Sequence, residues 1–461
     1  MIALSLAEVA AATGGRLDRA DPEAIVTGPA VVDSRAVVPG ALFVAVAGER
    51  VDGHDFAAAA ATAGAAGVLA TRPVGVPAVL VADTVAALGL LARRVVTDLT
   101  DRSGLVVVGI TGSQGKTSTK DLIAAVLESR GATIAPPGSF NNEIGLPLTA
   151  CRAEESTRHL VLEMGARGAG HIRYLCELTP PRVGVVLNVG LAHVGEFGSR
   201  GAIAAAKGEL VEALPADGVA VLNADDPLVA AMAGRTAARV LTFGLGSADV
   251  RATDVRLDDG RPVFTLTTPA GSASVGLPLH GAHHVGNALA AAAVGHELGI
   301  SPTQIAAALA AAAPRSRWRM EVTTRADGVT VVNDAYNANP DSMRAALAAT
   351  VAIAGQRRRW AVLGEMRELG ESSQAEHEAL GRLVADMDIS RLVVVGEGAR
   401  PTLAGALDGR SWSAPPAFVA DVAGAVDLLR AELAPADVVL VKASRAAGLE
   451  RVAEALLEVS A

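Results

Sequence analysis

Gly115, Lys116 and Thr117 stand in a row inside the stretch GITGSQGKTSTKD (109–121), a pattern suited to holding a nucleotide phosphate. Backbone N–H groups at a helix start, aided by the helix dipole, attract anionic oxygens. Lys116 would bridge the terminal phosphates, and the Thr117 hydroxyl would reach a Mg²⁺ ion. The spacing departs from the common form G-x-x-x-x-G-K-[ST]. That form needs glycine at position 110, where Ile110 stands; Gly109 comes one residue early, and Gly112 adds a glycine inside the loop. The competing reading is a plain glycine turn. The apolar run before the loop and the helical pattern after it favour phosphate binding.

A metal held by one hydroxyl needs an acid beside it. Glu163 ends the apolar run HLVLE just before the turn MGARGAG, and side chains that act in an open sheet gather at the carboxyl ends of strands. It is the candidate Mg²⁺ partner, in the place a Walker-B acid takes, with an exposed loop acid as the plain alternative. His193 falls just past the next strand-like run, in NVGLAHVGEFGS (188–199), where a ligand role competes with a structural one. Lys207, in AIAAAKGEL, gains no role from spacing alone beyond that of a solvated helix cation. Guanine recognition usually employs Asn-Lys-x-Asp, and the chain contains no Asn-Lys pair. ATP is therefore the expected nucleotide, which leaves a small-molecule kinase open.

The elements that must position these residues fall into three blocks, residues 1–102, 103–313 and 314–461. In the first, strand-like pieces (ALFVAVAG, AVLVAD) alternate with alanine-rich helical stretches; a helix over 85–99 is followed by TDRSG, read as a linker. The start, MIALSLAEVAAATGG, reads as an amphipathic helix and not a signal peptide. The second block opens with GLVVVGITG, a β-branched run meeting glycines, which predicts a buried parallel strand entering a loop. A helix over 116–129 follows, then strands at 159–164, 183–188 and 218–223, an antiparallel region over 250–277, and helices over 284–298 and 302–312. The third block repeats the β/α order through VTVVND, WAVLGE, RLVVVG and DVVLVKAS, a Rossmann-like pattern. The fold class is α/β in three domains, with a central parallel-sheet phosphate-loop domain.

Composition bounds the rest. The chain of 461 residues is 51% hydrophobic and 19% charged, which fits folded domains, and only 3% aromatic, so alanine, valine and leucine must build the cores. A net charge of -9 argues against nucleic acid as a partner. Two cysteines are too few for a disulfide framework and suit a reducing cytoplasm. The longest weakly polar run, 56–70, is too short to span a membrane.

The loop TGSQGKTSTKD, with its extra residue, resembles that of the Mur ligases, ATP-dependent amide-forming enzymes of peptidoglycan precursor synthesis. The resemblance runs the length of the chain in order, through FNNEIGLP (140–147), EMGARG (163–168), NVGLAHVGEFGS, AKGEL (206–210), NADDP (223–227), HHVGNALAA (283–291), RWRMEV (317–322), NDAYNANPDSM (333–343), VLGEMRELG (362–370) and VLVKASRAAGLE (439–450). The stretch VVDSRAVVPGALFVAVAGERVDGHDF (31–56) is similar to the uridine-nucleotide domain of members acting on longer UDP-muramoyl peptides. DAYNANPDSM resembles the members that join D-alanyl-D-alanine to UDP-N-acetylmuramoyl-tripeptide. The member adding the third amino acid carries Asp-Asn-Pro-Arg, which does not occur here, and DSR…DGHDF argues against a folate-polyglutamylating relative.

The resemblance implies a role for each domain: UDP-muramoyl peptide on 1–102, ATP on 103–313, the incoming dipeptide on 314–461. It implies ATP contacts at Gly112, Ser113, Gly115, Lys116, Thr117, Ser118, Asn287, Arg319 and Asp334. Two Mg²⁺ ions are implied, with Thr117, Glu163, His193 and Lys207 as the metal set, and Lys116, His193 and Lys207 as the catalytic group. Lys207 matches the family lysine carboxylated by CO₂; a carbamate anion would be attracted to Mg²⁺ where an ammonium would be repelled. Ser34, Arg35, Gly53, His54, Asn141, Asn142, Tyr336, Asn337 and Asn339 are implied to face the other substrates. His284 stands where the family often has asparagine. A cytoplasmic monomer without a membrane span is implied.

Overall fold

A computed structural model describes residues 1–48, 50–190, 194–408, 412 and 414–458. Three main sheets follow one another along the chain. The first orders its strands as Arg16–Asp18, Ala78–Leu80, Gly67–Ala70, Leu42–Val44 and Ala30–Val31, all parallel except the first. A two-stranded ladder of Leu4–Ser5 with Ile25–Val26 sits apart from it. The helix expected at the start covers Leu6–Thr13, where Ser5 and Glu8 form a reciprocal capping box.

The central sheet has nine strands. Six parallel ones form its body: Thr133–Ile134, His159–Glu163, Val106–Thr111, Val183–Val186, Val219–Asn223 and Arg239–Gly244. Val250–Asp258 continues the sheet in parallel, and Arg261–Thr268 and Gly271–Gly276 extend it as antiparallel ribbons. Strands covered on both faces read as unbroken apolar runs, which is why VVVGIT and HLVLE are buried almost throughout. The alanine-rich helix His284–Glu297 is buried along most of its length against the phosphate-loop helix and the sheet. Small side chains let helix and sheet approach where aromatics are scarce.

The third sheet orders Glu321–Thr324, Thr330–Asn333, Val438–Lys442, Arg359–Leu363, Arg391–Val395 and Ala417–Val419, parallel except at the first pair. Trp360, wholly buried at its centre, donates its indole N–H to Asp437 at 2.9 Å. The edge strands Glu321–Thr324 and Ala417–Val419 had no counterpart in the sequence reading; both are short and only partly buried, so neither shows an apolar run.

One expectation needs correction. TDRSG is not a linker. Thr100 to Ser103 are the last turn of a single helix, Thr84–Ser103, and Gly104 (φ +68°) caps it in the left-handed region. Leu88, Leu91, Val95 and Leu99 of this helix join a core that continues into Leu146, Leu160, Ile172 and Leu175. The helix packs on Gly145–Ala150 and His171–Leu178 of the central body. Each such burial contributes about 1.5–3 kcal/mol, so this contact binds the first body to the second firmly. No helix among the described residues is long and apolar enough to cross a membrane.

Candidate active site at the junction of two sheets

The phosphate-type loop leaves the strand Val106–Thr111 and re-enters helix at Lys116 through Gly115, whose φ is +80°. A Cβ there would also lie 2.7 Å from Asn287 Oδ1, so glycine is required twice over. Asn188, at the carboxyl end of the neighbouring strand, shapes the loop: its Oδ1 accepts the N–H groups of Ser113 and Gln114 at 2.9 and 3.0 Å. Ser113 Oγ accepts the Gly190 N–H at 2.8 Å. The Lys116 ammonium folds back to the Gly112 carbonyl at 2.7 Å. Burial lowers its pKa, and the nearby Glu163 carboxylate works in the opposite direction.

Thr117 and Glu163 form the centre. Thr117 Oγ1 donates to Glu163 Oε2 at 2.9 Å and accepts from Arg319 Nη2 at 3.0 Å. Glu163 Oε1 accepts from Ser139 Oγ and Asn141 Nδ2, both at 2.8 Å. Burial pushes the Glu163 pKa upward, but the charges of Lys116 and Arg319 with the two hydrogen bonds outweigh it and hold the carboxyl ionised. A hydroxyl and a carboxylate paired at a helix start are hard oxygen donors. They suit Mg²⁺, which retains waters and phosphate oxygens as its other ligands.

Arg319 arrives from the segment joining the central and third sheets. Trp318 (φ +59°) and Met320 (φ +55°) on either side of it hold left-handed backbones, a conformation costing bulky residues on the order of 1 kcal/mol or more each. The Arg319 guanidinium lies 3.9 Å from the centre of the Tyr336 ring. Asp334, at the end of the strand Thr330–Asn333, accepts the Met320 N–H at 3.0 Å and the Lys442 ammonium at 2.5 Å. Asn339 caps the helix Pro340–Ala354 in a reciprocal box with Ser342.

A cavity of about 350 Å³ opens between these two bodies. Ser113, Gly115, Lys116, Thr117, Ser118, Asn141, Glu163, Asn287, Arg319, Asp334, Tyr336, Asn337 and Asn339 all line it. Asn287 pairs with His284 at 3.3 Å, and burial lowers the proton affinity of His284 well below the ordinary histidine range, so the ring is neutral. Sequence reasoning passed over Asn188, Ser139 and Lys442, which also line the cavity. For Asn188 a signal existed, its place at a strand end beside the loop.

Other candidates lie elsewhere. Among the described residues, Gly112, Ser34, Arg35, Gly53, His54, Asn142 and Lys207 do not line this cavity. Asn142 Oδ1 accepts the Gly145 N–H at 2.8 Å and so fixes a helix start. Ser34 and Arg35 occupy a 3-10 turn, where the exposed Arg35 pairs with Asp33. Gly53 and His54 open a second such turn, and the His54 ring is buried between Asp52 at 2.6 Å and the Thr71 N–H at 3.0 Å. Lys207 is buried on the helix Arg200–Glu212, not solvated; burial, and then the charge of Lys116, bring its pKa down to about 7. His193 lies outside the described residues.

Comparison with known proteins agrees with this layout. Residues 31–95 match the Mur ligase family catalytic domain, 110–295 the Mur ligase middle domain, and 318–445 the Mur ligase glutamate ligase domain. The chain is 52% identical to a UDP-N-acetylmuramoyl-tripeptide–D-alanyl-D-alanine ligase of Mycobacterium tuberculosis, covering 99% of this chain and 98% of the relative. It is 36% identical to the enzyme of that name from Escherichia coli, with 99% of each covered. Among solved structures, MurF from Acinetobacter baumannii superposes with a TM-score of 0.87 at 32% identity over 98% of each chain. MurF from Thermotoga maritima in complex with ADP gives 0.81 at 32% identity, over 94% of this chain and 98% of that one. With relatives matched from end to end and the family's segments in order around a phosphate-type loop, the chain belongs to the Mur ligase family.

Proposed function

We propose that this chain joins D-alanyl-D-alanine to the terminal carboxylate of UDP-N-acetylmuramoyl-tripeptide, with ATP converted to ADP and phosphate. The observation that carries the reading is the single cavity in which Lys116, Thr117 and Glu163 of the central body meet Arg319 and Asp334 of the third. The end-to-end match to ligases of that name supports the choice of substrates.

A carboxylate resists attack by an amine because its oxygen leaves poorly. Transfer of a phosphoryl group to the tripeptide carboxylate supplies a leaving group, and the dipeptide amine then displaces phosphate to form the amide. Positive charge is needed where the phosphoryl group moves, and Lys116 and Arg319 provide it. The loop N–H groups orient the phosphates, and Asn287 and Asp334, which line the same cavity, are available to the rest of the nucleotide. Mg²⁺ bound at Thr117 and Glu163 would neutralise phosphate charge. Arg319, Asp334 and Tyr336 of the third body line the same cavity, and this wall would help keep water from a hydrolysable intermediate.

Lys207 fits carboxylation by CO₂ because only the neutral amine reacts, and a pKa near 7 leaves much of it neutral at physiological pH. The resulting carbamate and His193 belong to the second metal position in this reading. Residues 1–102 receive the UDP-sugar, with Arg35 exposed for contact, Ser34 half-buried beside it, and His54 acting through the turn it braces. Residues 103–313 take ATP and 314–461 the dipeptide. Buried thiols at Cys151 and Cys176 suit the reducing cytoplasm.

The test is phosphate release with ATP, Mg²⁺, UDP-N-acetylmuramoyl-tripeptide and D-alanyl-D-alanine. Release that requires the dipeptide is expected. Release instead with a diamino acid on the dipeptide precursor would overturn the reading.

A further inference from the structure

The segment that carries Arg319 to Thr117 holds two bulky residues in left-handed conformations, so the surrounding structure must hold it in place. Two lysines do this, one from each body. Lys120 sits on the phosphate-loop helix and is wholly buried, an unusual place for an ammonium. It donates to the Pro136 carbonyl, pairs with Asp121 Oδ1 at 2.8 Å and reaches Ser316 Oγ at 3.5 Å. Ser316 Oγ donates in turn to Asp121 Oδ2 at 2.8 Å. The start of the crossing segment is thus tied to the helix that presents Thr117. By holding Pro136, Lys120 also steadies the approach to Ser139, which donates to Glu163.

The other lysine holds the far end. Lys442 ends the strand Val438–Lys442 and is buried. Its donors go to Asp334 Oδ2 at 2.5 Å, the Asn337 carbonyl at 2.9 Å and the Asp334 carbonyl at 3.4 Å. That leaves none for a ligand, although its side chain lines the cavity. Asp334, fixed on one oxygen by Lys442, accepts the Met320 N–H on the other. Arg319 therefore lies between two anchored points, Ser316 and Met320.

We propose that Lys120 and Lys442 are positioning residues that aim the Arg319 guanidinium at the Thr117 hydroxyl across the junction of the two bodies. Neither lysine handles a reacting group; each acts through the segment it holds. A lysine that merely supported its own domain would lower activity to the same degree whether or not Arg319 were present.

A double-mutant cycle separates the two cases. Full-length Lys120→Met, Ser316→Ala, Lys442→Met and Arg319→Ala variants are compared with each of the first three combined with Arg319→Ala. Phosphate release is measured with varied dipeptide. Each of the three single changes is expected to lower kcat at least threefold with the dipeptide KM within twofold of wild type. In the Arg319→Ala background each is expected to cost less than twofold. Equal losses in both backgrounds, or no loss in either, would overturn the proposal. If a lysine variant fails to fold by circular dichroism, Ser316→Ala, which deletes one hydroxyl, decides for Lys120. Lys442→Gln, which keeps a donor within reach of the Asn337 carbonyl without a buried cation, decides for Lys442. The proposal rests on the ligase reading. Absence of any dipeptide-dependent release by the wild-type enzyme would sink that reading, and the same cycle run on affinity for a non-hydrolysable ATP analogue would still decide the roles of the lysines.

Discussion

The Thr117 hydroxyl donates to Glu163 Oε2 at 2.9 Å, and this bond joins the phosphate-loop helix to the end of the neighbouring strand. Each partner is held from its other side, Thr117 by Arg319 and Glu163 by Ser139 and Asn141. Glu163→Gln preserves shape and removes the charge. A fall in kcat of at least roughly 10²–10³-fold is expected, the range for losing a single preorganised hydrogen-bond donor that stabilises a transition state. The melting temperature should change little, since the change also relieves a buried charge. Activity within threefold of wild type at saturating Mg²⁺ would refute the metal role.

Lys207 gives a pH prediction. With a pKa brought down to about 7, the amine is mostly ammonium at pH 6 and mostly neutral at pH 8. Ammonium does not add to CO₂. Activity at a fixed, limiting concentration of dissolved CO₂ should therefore rise from pH 6 to 8, and added bicarbonate should raise it further. ¹³C-labelled bicarbonate should give a carbamate signal at pH 8 that the Lys207→Ala variant lacks. No such signal, or one that persists in the variant, would count against carboxylation.

Gly195 meets Gly370 across the boundary between the central and third bodies. Its N–H donates to the Glu368 carbonyl at 3.2 Å, and a Cβ on Gly195 would lie 2.6 Å from the Gly370 nitrogen. Gly195→Ala should force this boundary apart at a cost of about 1–3 kcal/mol. A lower kcat and a larger radius of gyration by small-angle scattering are expected. Unchanged values of both would show that the contact does not hold the bodies together.

Gly115→Ala combines backbone strain at φ +80° with a clash against Asn287. Loss of ATP-analogue binding by titration calorimetry is expected, with far-ultraviolet circular dichroism preserved. Retained affinity would mean that the loop does not cradle phosphate.

Much of the architecture could be read before the fold was known, because buried parallel strands leave unbroken apolar runs such as VVVGIT and VVLVK. The site was readable where residues cluster in sequence around a strand end, as at 115–117 and 163. It was not readable where a partner far along the chain decides the role. His54 is braced by Thr71, seventeen positions on. Lys120 and Lys442 look like surface lysines in the sequence, and only packing from several elements buries them. TDRSG misled because its turn-forming composition is also that of a helix end.

The helix Thr84–Ser103 bears on how the chain emerges during synthesis. Its apolar face is complete when Ser103 leaves the ribosome, but the helix His171–Leu178 that helps cover it ends roughly 75 residues later. At the usual rate of elongation that interval is about 4–15 s. Leu88, Leu91, Val95 and Leu99 must wait through it uncovered by that partner. The nascent first body is thus the stage at which chaperone capture or aggregation of this enzyme would begin.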